Sequence, residues 1–232
     1  MKWKVLDTGI SSAEENMAAD ASLLNEVSDC KNPTLHLYGW EGLAATYGYF
    51  SKPDDLLNLE AIAANSVQLA RRPTGGGVLF HFTDFAFSII VPKSHPFYST
   101  NTLRNYASVN RVVEHAVRDF IGAESLFLEE DIASKPSARH FCMGKPTKYD
   151  LIRKGKKIAG AAQRRTKEGL LHQGTIHLAL PNWDDLSSLI KDSSVLDAMR
   201  LYSAGLVDFD RLPKARKEIK RLLIEKFCGA DV

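Results

Sequence analysis

Hydrophobic and polar positions along this chain change period several times, and the changes predict strands interleaved with helices. Alternation over Trp3–Asp7 predicts an edge strand, and runs rich in aromatic and β-branched residues predict strands at Thr34–Tyr38 and Leu43–Phe50. Two apolar runs, Gly77–Phe82 and Asp84–Val91, predict a hairpin. Further strands are expected at Ala123–Leu128, Tyr149–Arg153, Lys157–Gln163 and Gly169–Ala179, with a polar loop at Glu129–His140.

Apolar residues spaced three and four apart predict the helices. The first covers Ser11–Asp29, where Ser11 or Ser12 can cap the amino end. The clearest is Leu103–Ile121, whose apolar stripe includes His115 as a core or rim residue. The other helices are expected at Pro53–Leu69, Asp184–Ile190, Val195–Leu201 and Pro213–Phe227. This order of elements indicates an α+β fold with a mixed sheet.

Composition narrows the class of protein. The 232 residues are 44% hydrophobic and 25% charged, which suits a globular protein with a sizeable core. A net charge of +2 does not indicate nucleic-acid binding, and no apolar run approaches the ~20 residues that span a bilayer. The amino end lacks a signal-peptide apolar region, and Cys30, Cys142 and Cys228 have neither disulfide nor zinc spacing. We expect a cytoplasmic protein without a metal site.

One segment concentrates the positive charge. Arg153–Lys167 carries seven lysines and arginines and no acidic residue. Such a segment can dock an acidic partner or an anionic ligand, and it can equally be a solvated basic loop. Both interpretations stay open at the level of sequence.

The stretch Arg71–His81, RRPTGGGVLFH, places three consecutive glycines after an arginine pair. Glycine lacks Cβ, so Gly75–Gly77 can let a ligand lie on the main chain, and successive N–H groups in such a turn bind anions. Arg71 and Arg72 can supply permanently charged groups for a phosphate or carboxylate. The alternative is a glycine-rich hairpin with a solvated arginine pair. The spacing matches neither a P-loop nor a dinucleotide fingerprint.

Three other places carry residues suited to chemistry. In Gly155–Gln163 a lysine enters a strand of small residues, where it can reach a carboxylate or acyl phosphate in a pocket, although adjacent lysines are also common in solvated turns. His172, close to a glycine that permits close backbone approach, is a possible base or a structural histidine. Cys142 is either a small buried hydrophobe or a thiol nucleophile activated by nearby cations.

Together these stretches resemble the lipoate–protein ligase A and octanoyltransferase family, which shares its catalytic core with biotin–protein ligases. Arg71–His81 resembles its RRxTGGGxVxH signature, Lys157–Gln163 its K-I-x-G-x-A-Q motif, and His172–Ile176 the strand that follows. Glu15–Asp20 and Leu35–Gly48 are similar to its first helix and strand pair. The resemblance covers about residues 5–180. It implies a mixed, largely antiparallel central sheet flanked by helices, as in class II synthetase-like catalytic domains.

The resemblance also implies how the chain is divided. Residues 1–181 are expected to form the catalytic core, and residues 182–232 a short helical extension of the same domain. Well-known bacterial ligases add a full accessory domain at this point, and none is expected here. Either a partner chain supplies its role, or the protein is a transferase.

Members of the family pass lipoate or octanoate to a lysine of a lipoyl domain. The main expectation is a lipoate–protein ligase that uses ATP with Mg²⁺ to form lipoyl-AMP and modifies lipoyl domains of 2-oxoacid dehydrogenase or glycine-cleavage proteins. The first alternative is an octanoyltransferase that takes octanoyl from acyl carrier protein through a Cys142 thioester, because one branch has its nucleophile fifteen residues before the motif lysine, as here. The second is a non-catalytic homologue that binds lipoyl domains.

The motifs assign roles to particular residues. Lys157 is the expected catalytic residue, since its charge would stabilise the acyl carboxylate and the oxyanion, and Cys142 is catalytic only in an octanoyltransferase. Residues expected to bind the acyl substrate or nucleotide are Arg72, Thr74, Gly75, Gly76, Gly77, Val78, Leu79, Phe80, His81, Gly160, Ala162, Gly174 and Thr175. The chain departs from the family pattern at Gly48–Ser51, where GRFQ is usual, and at Met143, where the cysteine branch has Phe.

Overall fold

A computed structural model describes residues 2–122, the backbone of 127–128, and residues 140–229. Its strands are β1 (Lys4–Ser11), β2 (Thr34–Trp40), β3 (Ala44–Tyr47), β4 (Gln68–Arg71), β5 (Leu79–Phe80), β6 (Asp84–Pro92), β7 (Phe127–Leu128), β8 (Leu151–Arg153), β9 (Lys156–Arg165) and β10 (Gly169–His177). Within the described ranges they form a large sheet in the order β1-β2-β6-β10-β9-β8-β7 and a small one in the order β4-β3-β5.

The large sheet is antiparallel except where β1 runs parallel to β2 at one edge. The expected α+β fold with a mixed, largely antiparallel sheet is therefore confirmed. The three successive strands predicted before residue 180 are also confirmed as β8, β9 and β10. Of the predicted strand Ala123–Leu128, only β7 lies in the described residues, and the predicted loop Glu129–His140 lies outside them apart from His140.

Helices cover both faces of the large sheet. They are α1 (Ala13–Asn25), α2 (Pro53–Leu56), α3 (Leu59–Ala64), α4 (Thr102–Ile121), α5 (Trp183–Ser187), α6 (Ser194–Tyr202) and α7 (Leu212–Gly229). Helix α1 begins at Ser12, whose hydroxyl accepts a hydrogen bond from the Glu15 N–H while the Glu15 carboxylate accepts one from the Ser12 N–H. None of the helices in the described ranges is both long and apolar enough to cross a membrane.

Two apolar cores lie on opposite faces of the large sheet. On one face α4 and α7 pack together over a core that includes Phe87, Val113 and Phe227. On the other face α1 and the small sheet cover the strands, and a second core under the small sheet joins Phe80, Phe141 and side chains of α5 and α6. The candidate site lies between the two sheets, on this second face.

The predicted hairpin of Gly77–Phe82 and Asp84–Val91 is wrong. Strand β5 pairs with β3 in the small sheet, whereas β6 pairs with β2 and β10 in the large sheet. The two runs diverge because the His81 N–H donates to the Ala44 carbonyl, and the Thr83 hydroxyl donates to the Ala179 carbonyl. Two adjacent apolar runs therefore line different sheets.

The single helix predicted over Pro53–Leu69 is also wrong. Helix α2 ends at Leu56, and α3 starts again after Asn58, whose side chain accepts from the Ala61 N–H. Ser66 then takes a positive φ of 53°, which ends helical geometry, and the chain continues as β4. At the other helices the observed bounds differ from prediction by a few residues, and His115 is exposed instead of lying in the core or at its rim.

Candidate functional site

The glycine run Gly75–Gly77 and the following Val78 contact the backbone of residues 140–142, which include Cys142. The Val78 N–H donates to the His140 carbonyl at 2.7 Å, and the Cys142 N–H donates to the Val78 carbonyl at 3.0 Å. A Cβ at Gly77 would overlap the His140 carbonyl group. Because only glycine permits this approach of two backbones, Gly77 fixes the position of Cys142.

Replacing Gly77 with alanine is therefore expected to displace Cys142 and destabilise the fold. The new methyl group overlaps backbone, which cannot move aside as a flexible side chain would. We expect a loss of about 1–3 kcal/mol in the free energy of unfolding, measured with urea, together with loss of activity. Gly75→Ala is the matched control, since its Cβ would meet nothing within 4 Å.

Arg72 holds the glycine turn from inside. Its guanidinium is buried, with Nη1 donating to the Thr46 carbonyl and hydroxyl at 3.1 and 2.7 Å. Its Nη2 donates to the carbonyls of Gly75 and Gly77 at 3.1 and 2.8 Å. These bonds occupy both terminal nitrogens of the group expected to receive a phosphate or carboxylate. Arg72 shapes the turn, and its role in binding substrate stays a prediction.

The Cys142 thiol faces the same pocket as the Lys157 amine. Cys142 is half-buried, and its Sγ lies 4.0 Å from Arg72 Nη2. Lys157 Nζ donates to the Cys142 carbonyl at 2.9 Å. The site therefore combines a nucleophilic atom with a fixed ammonium group. The pocket is lined by Met17, Tyr38, Trp40, Arg72, Leu79, His81, Ala86, Cys142, Lys157, Gly160, Ala161, Ala162, Gln173, Gly174 and Thr175.

A β-bulge aims Lys157 into the pocket. Leu151 pairs with Ala159 but Ile152 pairs with Lys157, so Ile158 is an extra residue in β9. Ile158 and Ala159 both join the core on the α4 face, which reverses the alternation and leaves Lys157 facing the pocket. A Cβ at Gly160 would lie 2.6 Å from Lys157 Nζ, so the glycine makes room for the amine.

Asp150 orients the Lys157 amine, and sequence reasoning missed it. Asp150 Oδ2 lies 2.8 Å from Lys157 Nζ in a buried ion pair. The same oxygen accepts from the Thr147 N–H at 2.7 Å and the Thr147 hydroxyl at 3.0 Å. The Thr147-x-x-Asp150 spacing was the available signal, because such spacing is typical of side chains that bond to nearby backbone in a turn.

A buried hydrogen-bonded chain runs behind the pocket. His81 Nδ1 lies 2.7 Å from Asp84 Oδ2, and His81 Nε2 lies 2.8 Å from the Thr46 hydroxyl that also accepts from Arg72. The Thr175 hydroxyl donates to Asp84 at 2.6 Å. Burial alone would raise the pKa of Asp84, but the charge and hydrogen bonds of His81, with the Thr175 bond, hold it below its ordinary value. His81 and Thr175 thus line the pocket as members of a fixed network.

The remaining predicted residues divide between the pocket and its support. The Thr74 hydroxyl donates to Gln173 at 2.6 Å and ties the glycine turn to β10. Leu79 and Ala162 line the pocket, whereas Val78 and Phe80 belong to the core under the small sheet. A Cβ at Gly174 would overlap the Phe87 ring, so this glycine accommodates core packing as well as exposing its backbone to the pocket.

His172 lies on the opposite face of the sheet, which argues against its action as a base in this pocket. Its ring is fully buried between Phe87 and Tyr106, and its Nδ1 lies 2.8 Å from the Gln163 amide nitrogen. Burial lowers the pKa of His172 to about 3. The interpretation of His172 as a structural histidine fits this position.

The burial of His172 makes stability depend on pH. The unfolded residue takes up a proton near its ordinary pKa of 6.5 while the folded one does not, so its contribution is complete above that pH and is lost as pH falls towards 3. We expect the free energy of unfolding to fall by up to about 1.4 kcal/mol per pH unit for this group. Urea unfolding at several pH values should show a shallower slope for His172→Phe, and the wild-type slope for the exposed His115→Gln.

The basic segment Arg153–Lys167 carries its charges along a strand and at both ends of it. It follows β9, whose ten residues extend over about 30 Å. Lys154 lies in the turn before the strand and Lys156 is its first residue, whereas Arg164, Arg165 and Lys167 lie at its other end. Charges that are adjacent in sequence are therefore separated along an extended strand, and the docking of an acidic partner or anionic ligand on this segment stays a prediction.

Comparisons with known proteins identify the family to which this fold and pocket belong. The profile of the Lipoyl protein ligase A/B catalytic domain family matches residues 12–199. Octanoyltransferase LipM of Geobacillus kaustophilus (strain HTA426) is 34% identical over 184 residues, which cover 77% of this chain and 66% of that protein. Octanoyltransferase LipM of Kyrpidia tusciae (strain DSM 2912 / NBRC 15312 / T2) is 29% identical over 241 residues, covering 98% and 86%.

A solved structure, lipoate-protein ligase A bound with ATP, has the same fold. It matches with a TM-score of 0.77 and 22% identity, over 99% of this chain and 85% of that one. The chain belongs to the lipoyl protein ligase A/B catalytic domain family, and the resemblance noted in its motifs is confirmed.

Proposed function

We propose that this protein is an octanoyltransferase, which moves an octanoyl group from a carrier protein to the lysine of a lipoyl domain through a thioester on Cys142. The observation that carries the proposal is the shared pocket of the Cys142 thiol and the Lys157 ammonium group. A thiol nucleophile beside a fixed positive charge suits acyl transfer between a thioester and an amine. Two relatives named octanoyltransferase support the same conclusion.

In the first step the Cys142 sulfur attacks the carbonyl carbon of the octanoyl thioester. A new S–C bond forms, the carrier's S–C bond breaks, and the carrier leaves with the proton from the Cys142 thiol. In the second step the lysine amine of the lipoyl domain attacks the acyl-Cys142 carbonyl. An N–C bond forms, the S–C bond to Cys142 breaks, and the thiol regains a proton from the amine. Both steps pass through an oxyanion.

Lys157 stabilises these oxyanions. Its ammonium is held by Asp150 and by the Cys142 carbonyl, so little reorganisation is needed when negative charge develops beside the thiol. Asp150 is a positioning residue, because it acts on the reaction through the lysine. The octanoyl chain packs against the apolar part of the pocket, where Met17, Tyr38 and Leu79 line the wall.

ATP-dependent ligation of lipoate, the main expectation from the motifs, has weaker support. At 22% sequence identity, the similarity to lipoate-protein ligase A supports a shared fold and nothing more specific. Arg72, which matches the nucleotide-contacting stretch, uses one terminal nitrogen of its guanidinium on Thr46 and the other on the glycine turn. The ligase is therefore the competing outcome of the test that follows.

The test compares acyl donors with one acceptor. An apo lipoyl domain is incubated with the protein and either octanoyl-carrier protein without ATP, or octanoate or lipoate with Mg-ATP, and its mass is recorded. We expect a gain of one octanoyl group with the carrier donor and no requirement for ATP. Modification that occurs only with free acid and ATP would establish the ligase instead. Binding of the lipoyl domain without any modification would favour the non-catalytic homologue.

A further inference from the structure

Two arginines flank one tyrosine beside the pocket, and the mechanism uses none of the three. The guanidinium carbon of Arg71 lies 4.8 Å from the centre of the Tyr49 ring, and that of Arg164 lies 5.5 Å from it. We call Tyr49, Arg71 and Arg164 the arginine–tyrosine cluster. All three are exposed, and they line one open depression that also borders Arg72 and Pro73 of the glycine turn.

The positive charge of this cluster is not balanced within the described chain. Neither Arg71 nor Arg164 forms an ion pair with a described residue. Arg164 makes one long hydrogen bond, from Nη1 to the Pro73 carbonyl at 3.4 Å. Glu14 is the acidic side chain that lines the depression, and it pairs with neither guanidinium. The two guanidinium groups near the Tyr49 ring repel each other, and an anion bound between them would offset this repulsion.

The position of the cluster limits the anion that it can serve. Gly160, Ala162 and Arg164 alternate along β9 and face the pocket side of the sheet. A Cβ at Gly76 would lie 3.8 Å from both Cys142 Sγ and Ala162 Cβ, so the thiol lies close to Ala162. Arg164 is two residues, about 7 Å, further along the strand, and its guanidinium lies over the exposed Tyr49 ring. A donor with an acyl thioester and a phosphate at the two ends of one flexible arm can therefore place the thioester at the thiol and the phosphate at the cluster, whereas an acceptor lysine carries no phosphate.

We propose that the arginine–tyrosine cluster binds the phosphate of a phosphopantetheine arm whose acyl thioester reaches Cys142. This inference rests on the proposed octanoyl transfer and names the feature by which the donor is recognised. Arginine is suited to the role because its planar guanidinium binds phosphate through paired hydrogen bonds. Tyr49 therefore has a function at a position where the chain departs from the family's GRFQ segment, and Arg71 has one at the start of the stretch that matches the family's signature.

The experiment compares two small donors that differ only by the phosphate, octanoyl-phosphopantetheine and octanoyl-pantetheine. The measured quantity is the ratio of their kcat/KM values for acylation of Cys142, followed by mass. For the wild-type protein we expect a preference of about tenfold or more for the phosphorylated donor. The double variant Arg71→Ala, Arg164→Ala is expected to bring the ratio close to one. Since both donors are tested on each variant, partial misfolding cancels from the ratio.

Arg165→Ala is the matched control. It removes the same charge from the next residue, whose side chain faces the other side of the sheet and donates to the Thr100 carbonyl. This variant should keep the wild-type ratio. A wild-type ratio near one, or a double variant that keeps the preference, would overturn the inference. The inference would also be overturned if the double variant changed only the reaction with octanoyl-carrier protein or the KM of the lipoyl domain. The cluster would then bind acidic side chains of a protein instead of a phosphate.

A binding measurement separates this inference from the proposed function. Titration with phosphopantetheine alone should show binding by the wild-type protein and about tenfold or more weaker binding by the double variant. If no donor acylates Cys142, octanoyl transfer fails while this measurement still decides the phosphate site. If Cys142 is acylated but phosphopantetheine binds equally to both proteins, the transferase stands and the phosphate site is refuted.

Discussion

Replacing Cys142 with alanine is expected to abolish octanoyl transfer, with a loss of at least about a thousandfold in rate. The thiol is the atom that carries the acyl group between donor and acceptor, and no other described side chain in the pocket can form a thioester. The measurement is the rate of mass gain on an apo lipoyl domain supplied with octanoyl-carrier protein. The side chain is half-buried, so the fold should persist.

Cys228→Ala is the control for this variant. Cys228 is an exposed residue of α7, outside the pocket, and its loss should leave the rate within about twofold of wild type. Transfer by Cys142→Ala at a rate near that of the wild type would mean that the acyl group never rests on this sulfur. In that case the acceptor amine would attack an activated acyl group directly.

Replacing Lys157 with alanine is expected to lower the transfer rate by about a hundredfold to a thousandfold. The ammonium lines the same pocket as the thiol and donates to the Cys142 carbonyl, which places it to stabilise both oxyanions. The change also leaves the buried Asp150 carboxylate without its partner, which costs about 3–5 kcal/mol of stability. Loss of activity in this single variant is therefore ambiguous between catalysis and folding.

The double variant Lys157→Ala, Asp150→Asn resolves the ambiguity. Removing the carboxylate charge with the ammonium should recover much of the lost stability, measured by urea unfolding, without recovering the rate. Lys156→Ala is the neighbouring control, because its amine donates to the Arg200 carbonyl outside the pocket. Recovery of activity in the double variant would show that Lys157 matters for folding alone.

Strand prediction succeeded where pairing is local and failed where it is distant. The predicted strands that correspond to β8, β9 and β10 follow one another through tight turns, so each strand pairs with its neighbour in sequence. The runs on either side of Thr83 have equally apolar patterns, yet they belong to different sheets. Local periodicity indicates that a segment is extended and buried, but it does not identify the strand that pairs with it.

The candidate site, like the strands, could be predicted from the sequence only in part. The motifs located Lys157, Cys142 and the glycine run, and the fold brings the first two to one pocket with the glycine run beside Cys142. The sequence did not predict what the glycines contact, because a residue without Cβ allows the close approach of a ligand or of a second backbone segment equally well. At Gly77 the partner is the segment leading to Cys142. Asp150 was missed because the Lys157 side chain contacts it only as a result of the β-bulge in β9, and the sequence pattern does not predict that bulge.

The most direct test of the central claim is the mass of Cys142 after exposure of the protein to octanoyl-carrier protein without ATP, with proteolysis locating the modification. We predict one octanoyl group on Cys142, held as a thioester, and its disappearance when an apo lipoyl domain is added. An unmodified Cys142, in a preparation that transfers acyl groups to the lipoyl domain only when ATP is supplied, would contradict the account.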